Sequence, residues 1–327
     1  MPLILTRKNV RDLLSMEEVI DALEGAFLSY GQGKTVVPVR LPLEVKPYRR
    51  ISLYMPAFQE EPNGLGVKVV SVFPDNPKKN LPTIFSYYLF CDPQTGALQA
   101  LMDGSVLTGI RTGAASGLAS RYLARKDSKT LGLFGAGFQA GFQLEAMRAL
   151  FPALERVYVV DVDQSRVSEF IRNHSTDGKI EFEAATDSSH VAKESDVIVT
   201  VTTSSSPLFD GRLLRPGTHI NAIGGFTPTM QEVDEETVRK AKVVVDTYEG
   251  CLSEAGEILI PMHRGAFSKD QIHSDLAGLV SGQKPGRKDR EEITLFKAVG
   301  TAIEDLAAAR LAYQEATKRG IGLTFEI

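Results

Sequence analysis

The stretch "LGLFGAGFQAGFQLEAM" (131–147) decides the fold. A strand-like apolar run enters a glycine-rich turn, and a helix-forming segment leaves it. Two readings compete: a flexible β–α turn, or a cradle for a pyrophosphate. In "GAGFQA" Gly135 and Gly137 fill the first two positions of a dinucleotide fingerprint, and Ala140 fills the third. The first glycine permits the tight turn, the second lets the backbone approach a pyrophosphate, and the third small residue lets helix and strand pack. A helix beginning near Phe138 would aim free N–H groups and the positive end of its dipole at that anion. Alone the pattern is weak, and its context strengthens it. The next apolar run, "RVYVVD" (156–161), ends in Asp161, 21 residues after Ala140. That is close to the ~20 expected for a carboxylate that binds the ribose hydroxyls. The turn therefore reads as a cradle. A carboxylate at Asp161 suits a 2′-hydroxyl and repels a 2′-phosphate, and Asp163 adds a second negative charge. NAD is expected, with NADP as the alternative.

Outward from this turn the chain alternates strand and helix. "QSRVSEFIRNH" follows the second strand as a helix, and "DVIVTV", "HINAIG" and "KVVVD" are compact apolar runs of the kind buried on both faces of a parallel sheet. The fold class is α/β, with a doubly wound Rossmann sheet. Upstream, Ser15 and Glu18 have capping-box spacing, and Val19, Ile20, Leu23 and Phe27 mark one helical face ending at Gly31. After the loop "GKTVVPVRLP" come "ISLYM", "GVKVVSVF", "IFSYYLF" and "ALQALM", without helices between them, so an antiparallel or mixed sheet is expected. "CDPQTG" supplies hairpin turn chemistry between the last two. "TGIRTGAASGLASRYLAR" reads as a helix with small packing residues. In the last segment, from "EEITLF" to "ATKRG", Phe296, Val299, Ile303 and Leu306 fall at helical spacing, and the basic loop "SGQKPGRKDR" reads as solvated surface.

Composition bounds the function. At 327 residues the chain is long enough for two domains. A net charge of −4, with both signs mixed along the chain, gives no attraction to nucleic acid. No stretch approaches the ~20 apolar residues of a membrane span. The start, "MPLILTRKNVRDLL", does not resemble a secretory signal. Two cysteines, Cys91 and Cys251, suggest a reducing compartment, so the cytoplasm is expected. The five histidines lack paired ligand spacing, and no metal site is expected.

Further motifs match one family. "VPVR" (37–40), "GVKVV" (66–70), "LPT" (81–83), "DPQTG" (92–96), "LTGIRTGAAS" (107–116), "HINAIGG" (219–225), "GEIL" (256–259) and "KPGRKDREEITLFKAVGTAIEDLAAA" (284–309) stand in family order beside the glycine turn. The chain resembles the ornithine cyclodeaminase/mu-crystallin family, which includes alanine dehydrogenases and cyclic ketimine reductases. The resemblance implies a substrate-binding and dimerisation domain over 1–113 and 302–327, a Rossmann domain over 114–301, and a homodimer. It also implies that Arg40 and Arg111 hold a substrate carboxylate and that Lys68 sits beside the reacting nitrogen. Thr83, Arg111, Thr112, Gly135, Gly137, Phe138, Gln139, Asp161, Thr202, Ala222 and Ile223 would line the nucleotide, and Val299 would close the site. Residue chemistry agrees, since an arginine fork suits a carboxylate. Lys68 lies between Val67 and Val69, so strand alternation puts it on the opposite face. In a cleft, desolvation would lower its pKa towards a useful acid/base range.

One difference narrows the chemistry. Cyclodeaminases of the family carry a catalytic aspartate directly after the glycine pair, where "GGFTPTMQE" has Phe226. Phenylalanine can neither carry a proton nor orient an amine. Met230 and Ala298 also replace polar residues used nearby. The resemblance then points to NAD(P)H-dependent reduction of a small cyclic α-imino acid, of the Δ1-pyrroline-2-carboxylate to L-proline type, with Lys68 and Arg111 as catalytic residues and Phe226 against the substrate. The alternatives are reductive amination of the alanine dehydrogenase type, ornithine cyclodeamination, and a non-catalytic mu-crystallin-like binding role.

Overall fold

The computed structural model describes residues 1–48, 50–175 and 178–326. Arg49, Thr176, Asp177 and Ile327, the last being the expected end of the first domain, lie outside the described residues. The chain forms two compact units, Met1–Thr112 with Thr301–Ile327, and Gly113–Gly300.

The first unit is built on a mixed sheet. Its strands are β1 (Leu3–Leu5), β2 (Thr35–Val36), β3 (Leu41–Val45), β4 (Arg50–Gln59), β5 (Gly64–Val72), β6 (Ile84–Cys91), β7 (Leu98–Asp103) and a terminal pair of residues, Leu323–Thr324. From the terminal strand the order runs β1-β7-β6-β5-β4-β2, with β3 paired on β4. Among the described strands of this sheet, only the β1–β7 pairing is parallel. The β6–β7 hairpin turns at Asp92, whose Oδ1 accepts from the Gln94 amide at 2.8 Å, and Gly96 takes the left-handed φ of 74°. Helix Met16–Gly31 starts at Ser15, which accepts from the Glu18 amide at 3.3 Å and buries Val19, Ile20, Leu23 and Phe27. It packs on helix Ala302–Arg319, which lies on β4, β5 and β6. Under that helix, cross-strand register sets Met55, Lys68, Tyr88 and Met102 in one buried row.

The second unit is an eight-stranded parallel sheet: β8 (Thr130–Phe134), β9 (Arg156–Val160), β10 (Glu181–Ala184), β11 (Val197–Thr200), β12 (His219–Ala222), β13 (Lys242–Val245), β14 (Ile272–Asp275) and β15 (Thr294–Lys297). The order is β10-β9-β8-β11-β12-β15-β13-β14. The chain moves outward from β8 to β10 and then returns to β11, so the topological switch falls between β8 and β11. Ligands of open α/β sheets bind at that point, outside the carboxyl ends of the strands. Strands β11, β12 and β15 are buried at every residue. His219 is locked inside this sheet, with Nδ1 2.9 Å from the Thr294 hydroxyl and Nε2 3.1 Å from the Ser120 hydroxyl. Burial pushes it down to about 3, so the ring is neutral.

Two expectations are corrected. Phe296 and Val299 do not continue the final helix. "TLFK" is the buried strand β15, Gly300 breaks the chain at φ 82°, and the helix begins only at Ala302. The β-branched and aromatic side chains of "ITLF" favour a strand, and their spacing mimicked a helical face by coincidence. The basic loop is also not wholly solvated. Arg287 is half-buried and donates to the Leu123 carbonyl at 2.7 Å and the Gly217 carbonyl at 3.1 Å, satisfying main-chain acceptors.

Candidate active site

In the first unit the site is assembled where helix Ala302–Arg319 crosses β5. Alternation along β5 turns Lys68 inward, and its side chain is 2% exposed. An ammonium so buried must be paired. Asp305 meets it: Oδ1 accepts its hydrogen bond at 2.7 Å, and Oδ2 lies equally close outside hydrogen-bonding geometry. Burial pushes Lys68 down to about 8, against the pull of Asp305, and the positive charges of Arg111 and Arg40 push the same way as burial. Arg111, on helix Gly104–Leu123, is held by two acids of helix Ala302–Arg319, with Nε donating to Asp305 at 2.9 Å and Nη1 to Glu304 at 2.5 Å. Two of its nitrogens are thus spent inside the protein. Two cations and two carboxylates balance there, and Arg40 adds positive potential that reaches Lys68. Such a cluster tolerates a further carboxylate.

Three residues of this cluster were not singled out from sequence. Asp305 and Glu304 lie in "AIEDLAAA", where two adjacent acids in an alanine-rich helix were a visible anomaly. Tyr88 is fully buried, and its hydroxyl has no hydrogen-bond partner among the described residues. Burial and the Asp305 charge push its phenol well up. It fits only because the diagonal neighbour, Gly66, opposite Phe90, has no side chain: a Cβ there would lie 2.4 Å from the hydroxyl oxygen. Thr83, just before β6, accepts from the Phe73 amide through its carbonyl, and Thr112 turns its hydroxyl back to the Thr108 carbonyl.

In the second unit the remaining predicted residues collect at one sheet edge, because parallel strands end together. Gly135 follows β8, Asp161 follows β9, Thr202 follows β11, Ile223 and Phe226 follow Ala222 at the end of β12, and Val299 follows β15. Gly135 needs its φ of 100°, and a Cβ there would stand 2.9 Å from the Val201 carbonyl. Gly137 is the N-cap of helix Phe138–Leu150 and supplies no side-chain cap, which leaves that helix's first amides open. A Cβ on Gly137 would meet nothing within 4 Å. The Gln139 Oε1 beside it is buried without a partner among the described residues. Open amides and a clear approach fit a pyrophosphate-bearing dinucleotide, and the Gln139 acceptor suits a hydroxyl or N–H donor of that molecule. Asp161 ties the turn to β9 by accepting from the Ala136 amide at 2.8 Å, and it also accepts from the Asp163 amide at 2.9 Å. A carboxylate offers about four acceptor sites, so capacity for ribose hydroxyls remains. Phe226 is 45% exposed, whereas Met230, Ala298 and Val299 are buried.

The family model of the ornithine cyclodeaminase/mu-crystallin family matches residues 1–320. The Δ1-pyrroline-2-carboxylate reductase of Bacillus cereus is 36% identical over 326 residues, covering 99% of each chain. A solved structure of the Thermococcus litoralis Δ1-pyrroline-2-carboxylate reductase in complex with NADH and L-proline superposes with a TM-score of 0.94 at 44% identity, covering 99% of this chain and 100% of that one. An archaeal alanine dehydrogenase dimer with bound NAD superposes with a TM-score of 0.93 at 36% identity, covering 100% of this chain and 99% of that one. The chain belongs to the ornithine cyclodeaminase/mu-crystallin family.

Proposed function

We propose that this protein is an NADH-dependent reductase of a small cyclic α-imino acid, converting Δ1-pyrroline-2-carboxylate to L-proline. The observation that carries this reading is the buried Lys68 ammonium, set on Asp305 among arginines and pushed down to about 8. A proton donor in that range serves neutral pH well. Its relatives named for pyrroline-2-carboxylate reduction, and the neighbour holding NADH and L-proline, support the same chemistry.

Arg40 and the free edge of Arg111 grip the substrate carboxylate, while Asp305 and Glu304 fix the Arg111 plane. Lys68 hydrogen-bonds the ring nitrogen and supplies its proton, and Asp305 holds Nζ in place. The dinucleotide, when bound, supplies the hydride that reduces the C=N carbon. Gly135, Gly137, Phe138, Gln139, Asp161 and Thr202 would hold it, and Asp161 would select NAD over NADP by opposing a 2′-phosphate. The position after the glycine pair is Phe226, which can neither carry a proton nor orient an amine. No carboxylate stands there to deliver the amine for ring closure, which disfavours cyclodeamination.

Alanine dehydrogenation is the second reading, favoured by the NAD-bound archaeal neighbour. NADH oxidation assayed against Δ1-pyrroline-2-carboxylate, Δ1-piperideine-2-carboxylate and pyruvate with ammonia separates the two. The five-membered ring should give the highest kcat/KM. Turnover with pyruvate and ammonia alone would overturn the first reading.

The working form is a homodimer in the cytoplasm. The sheet face turned away from helix Ala302–Arg319 carries Val67, Val69, Phe85, Leu89 and Leu101, all only partly buried, and Cys91 and Cys251 are free thiols. Sedimentation equilibrium should return twice the chain mass, and Val69→Lys should return the monomer. A monomeric wild type would remove the dimer.

A further inference from the structure

Beneath the carboxyl edge of the Rossmann sheet lies a buried ionic group that no step of the proposed reaction uses. Glu232, 0% exposed, accepts five hydrogen bonds. Its Oε1 takes the Thr202 amide at 2.6 Å and the Thr202 hydroxyl at 2.8 Å. Its Oε2 takes the Thr200 hydroxyl at 2.9 Å, the Gly224 amide at 2.7 Å and the Gly225 amide at 3.1 Å. One carboxylate therefore fastens the loop after β11 to the loop after β12. The Glu232 amide donates to Glu257 Oε1 at 3.1 Å, and Glu257 pairs with Lys297 at 2.9 Å. Lys297, at the end of β15, returns its hydrogen bond to the Gly225 carbonyl at 2.6 Å. Both amides of the glycine pair and the Gly225 carbonyl are thus held by this one group. The glycines are needed for the approach: a Cβ on Gly224 would lie 2.2 Å from the Thr202 carbonyl, and one on Gly225 2.4 Å from Glu257.

Such an arrangement is costly unless rigidity matters, because three charges are desolvated. An amide in place of Glu232 would set N–H groups against N–H and O–H donors, so only an acceptor-only carboxylate satisfies the knot. The two loops it joins are those that a dinucleotide meets at the carboxyl ends of the fourth and fifth strands of this fold.

We infer that Glu232, backed by Glu257 and Lys297, is a positioning residue that preorganises the Thr202 and Gly224–Phe226 loops for the coenzyme. It touches neither substrate nor coenzyme and acts through the main chain it holds. The inference rests on the coenzyme part of the proposed function and deepens it.

The test uses the full-length chain with Glu232→Gln and the milder Thr200→Val, which deletes one donor and no charge. NADH affinity is read by fluorescence titration, and hydrogen exchange of the 221–227 segment is read without coenzyme. With Glu232→Gln, the NADH Kd should rise about tenfold or more, exchange in that segment should accelerate while β8 and β9 stay protected, and the KM for the imino acid should hold. Thr200→Val should move the first two readouts in the same direction by about threefold. Unchanged NADH affinity and unchanged segment exchange in a folded Glu232→Gln overturns the inference. If that variant fails to fold, the same unchanged result in Thr200→Val overturns it. If the wild type binds no NADH, the coenzyme reading fails and the inference with it, and accelerated exchange in Glu232→Gln then marks the knot as a structural clasp only.

Discussion

Lys68 is under two opposing influences, and their balance is measurable. Burial and the neighbouring arginines favour the neutral amine, while Asp305 favours the ammonium. The proposed role of Lys68 as proton donor requires its protonated form, so kcat/KM for the imino acid should be level below about 8 and fall about tenfold per pH unit above it. Asp305→Asn removes the influence that raises Lys68, so the alkaline limb should move to lower pH. A limb that stays put, measured by initial rates from pH 6 to 10, would detach Asp305 from the proton. Much at this scale was legible: strand alternation alone turned Lys68 away from Val67 and Val69, and desolvation was the expected cause of its shift. What sequence could not give was its partner. Asp305 lies 237 residues further on, and nothing local marks a carboxylate as the counter-ion of a distant lysine.

Among the elements, the glycine turn divides its labour between two residues in a way that can be tested separately. Gly135 is required by the fold, through its φ of 100° and the Val201 carbonyl 2.9 Å from where a Cβ would be. Gly137 has φ −87° and open space around it, so the fold does not require it. Gly137→Ala should melt at the wild-type temperature, yet bind NADH about tenfold more weakly, because the new methyl occupies the pyrophosphate approach. Gly135→Ala should lose about 1–3 kcal/mol of stability as well. Equal NADH affinity for wild type and Gly137→Ala, by fluorescence titration, would contradict the cradle. The apolar runs at β8, β9, β11, β12 and β13 were readable because both their faces are buried. Strands β10 and β14, "EFEA" and "IHSD", were not, since short polar edge segments carry no run to read. β15 was mistaken for helix because three or four apolar side chains can satisfy either period when a loop follows.

For the whole molecule, the sheet orders follow from connectivity. Helices between strands gave a parallel sheet, and hairpins gave an antiparallel one. The residues proposed as carboxylate clamp, proton donor and coenzyme cradle come from segments spread from Arg40 to Asp305, so no short motif could encode the activity. The substitution of Phe226 for an acid could be interpreted only because the rest of the family pattern was present. The central claim is that Lys68 supplies the proton while the nucleotide is held elsewhere. The direct measurement is NADH oxidation with Δ1-pyrroline-2-carboxylate, paired with the NADH Kd, for wild type and Lys68→Met, which keeps the side-chain volume. Turnover should fall roughly a thousandfold with the Kd unchanged within about twofold. Turnover within tenfold of wild type, or a Kd that worsens in step with turnover, would contradict it.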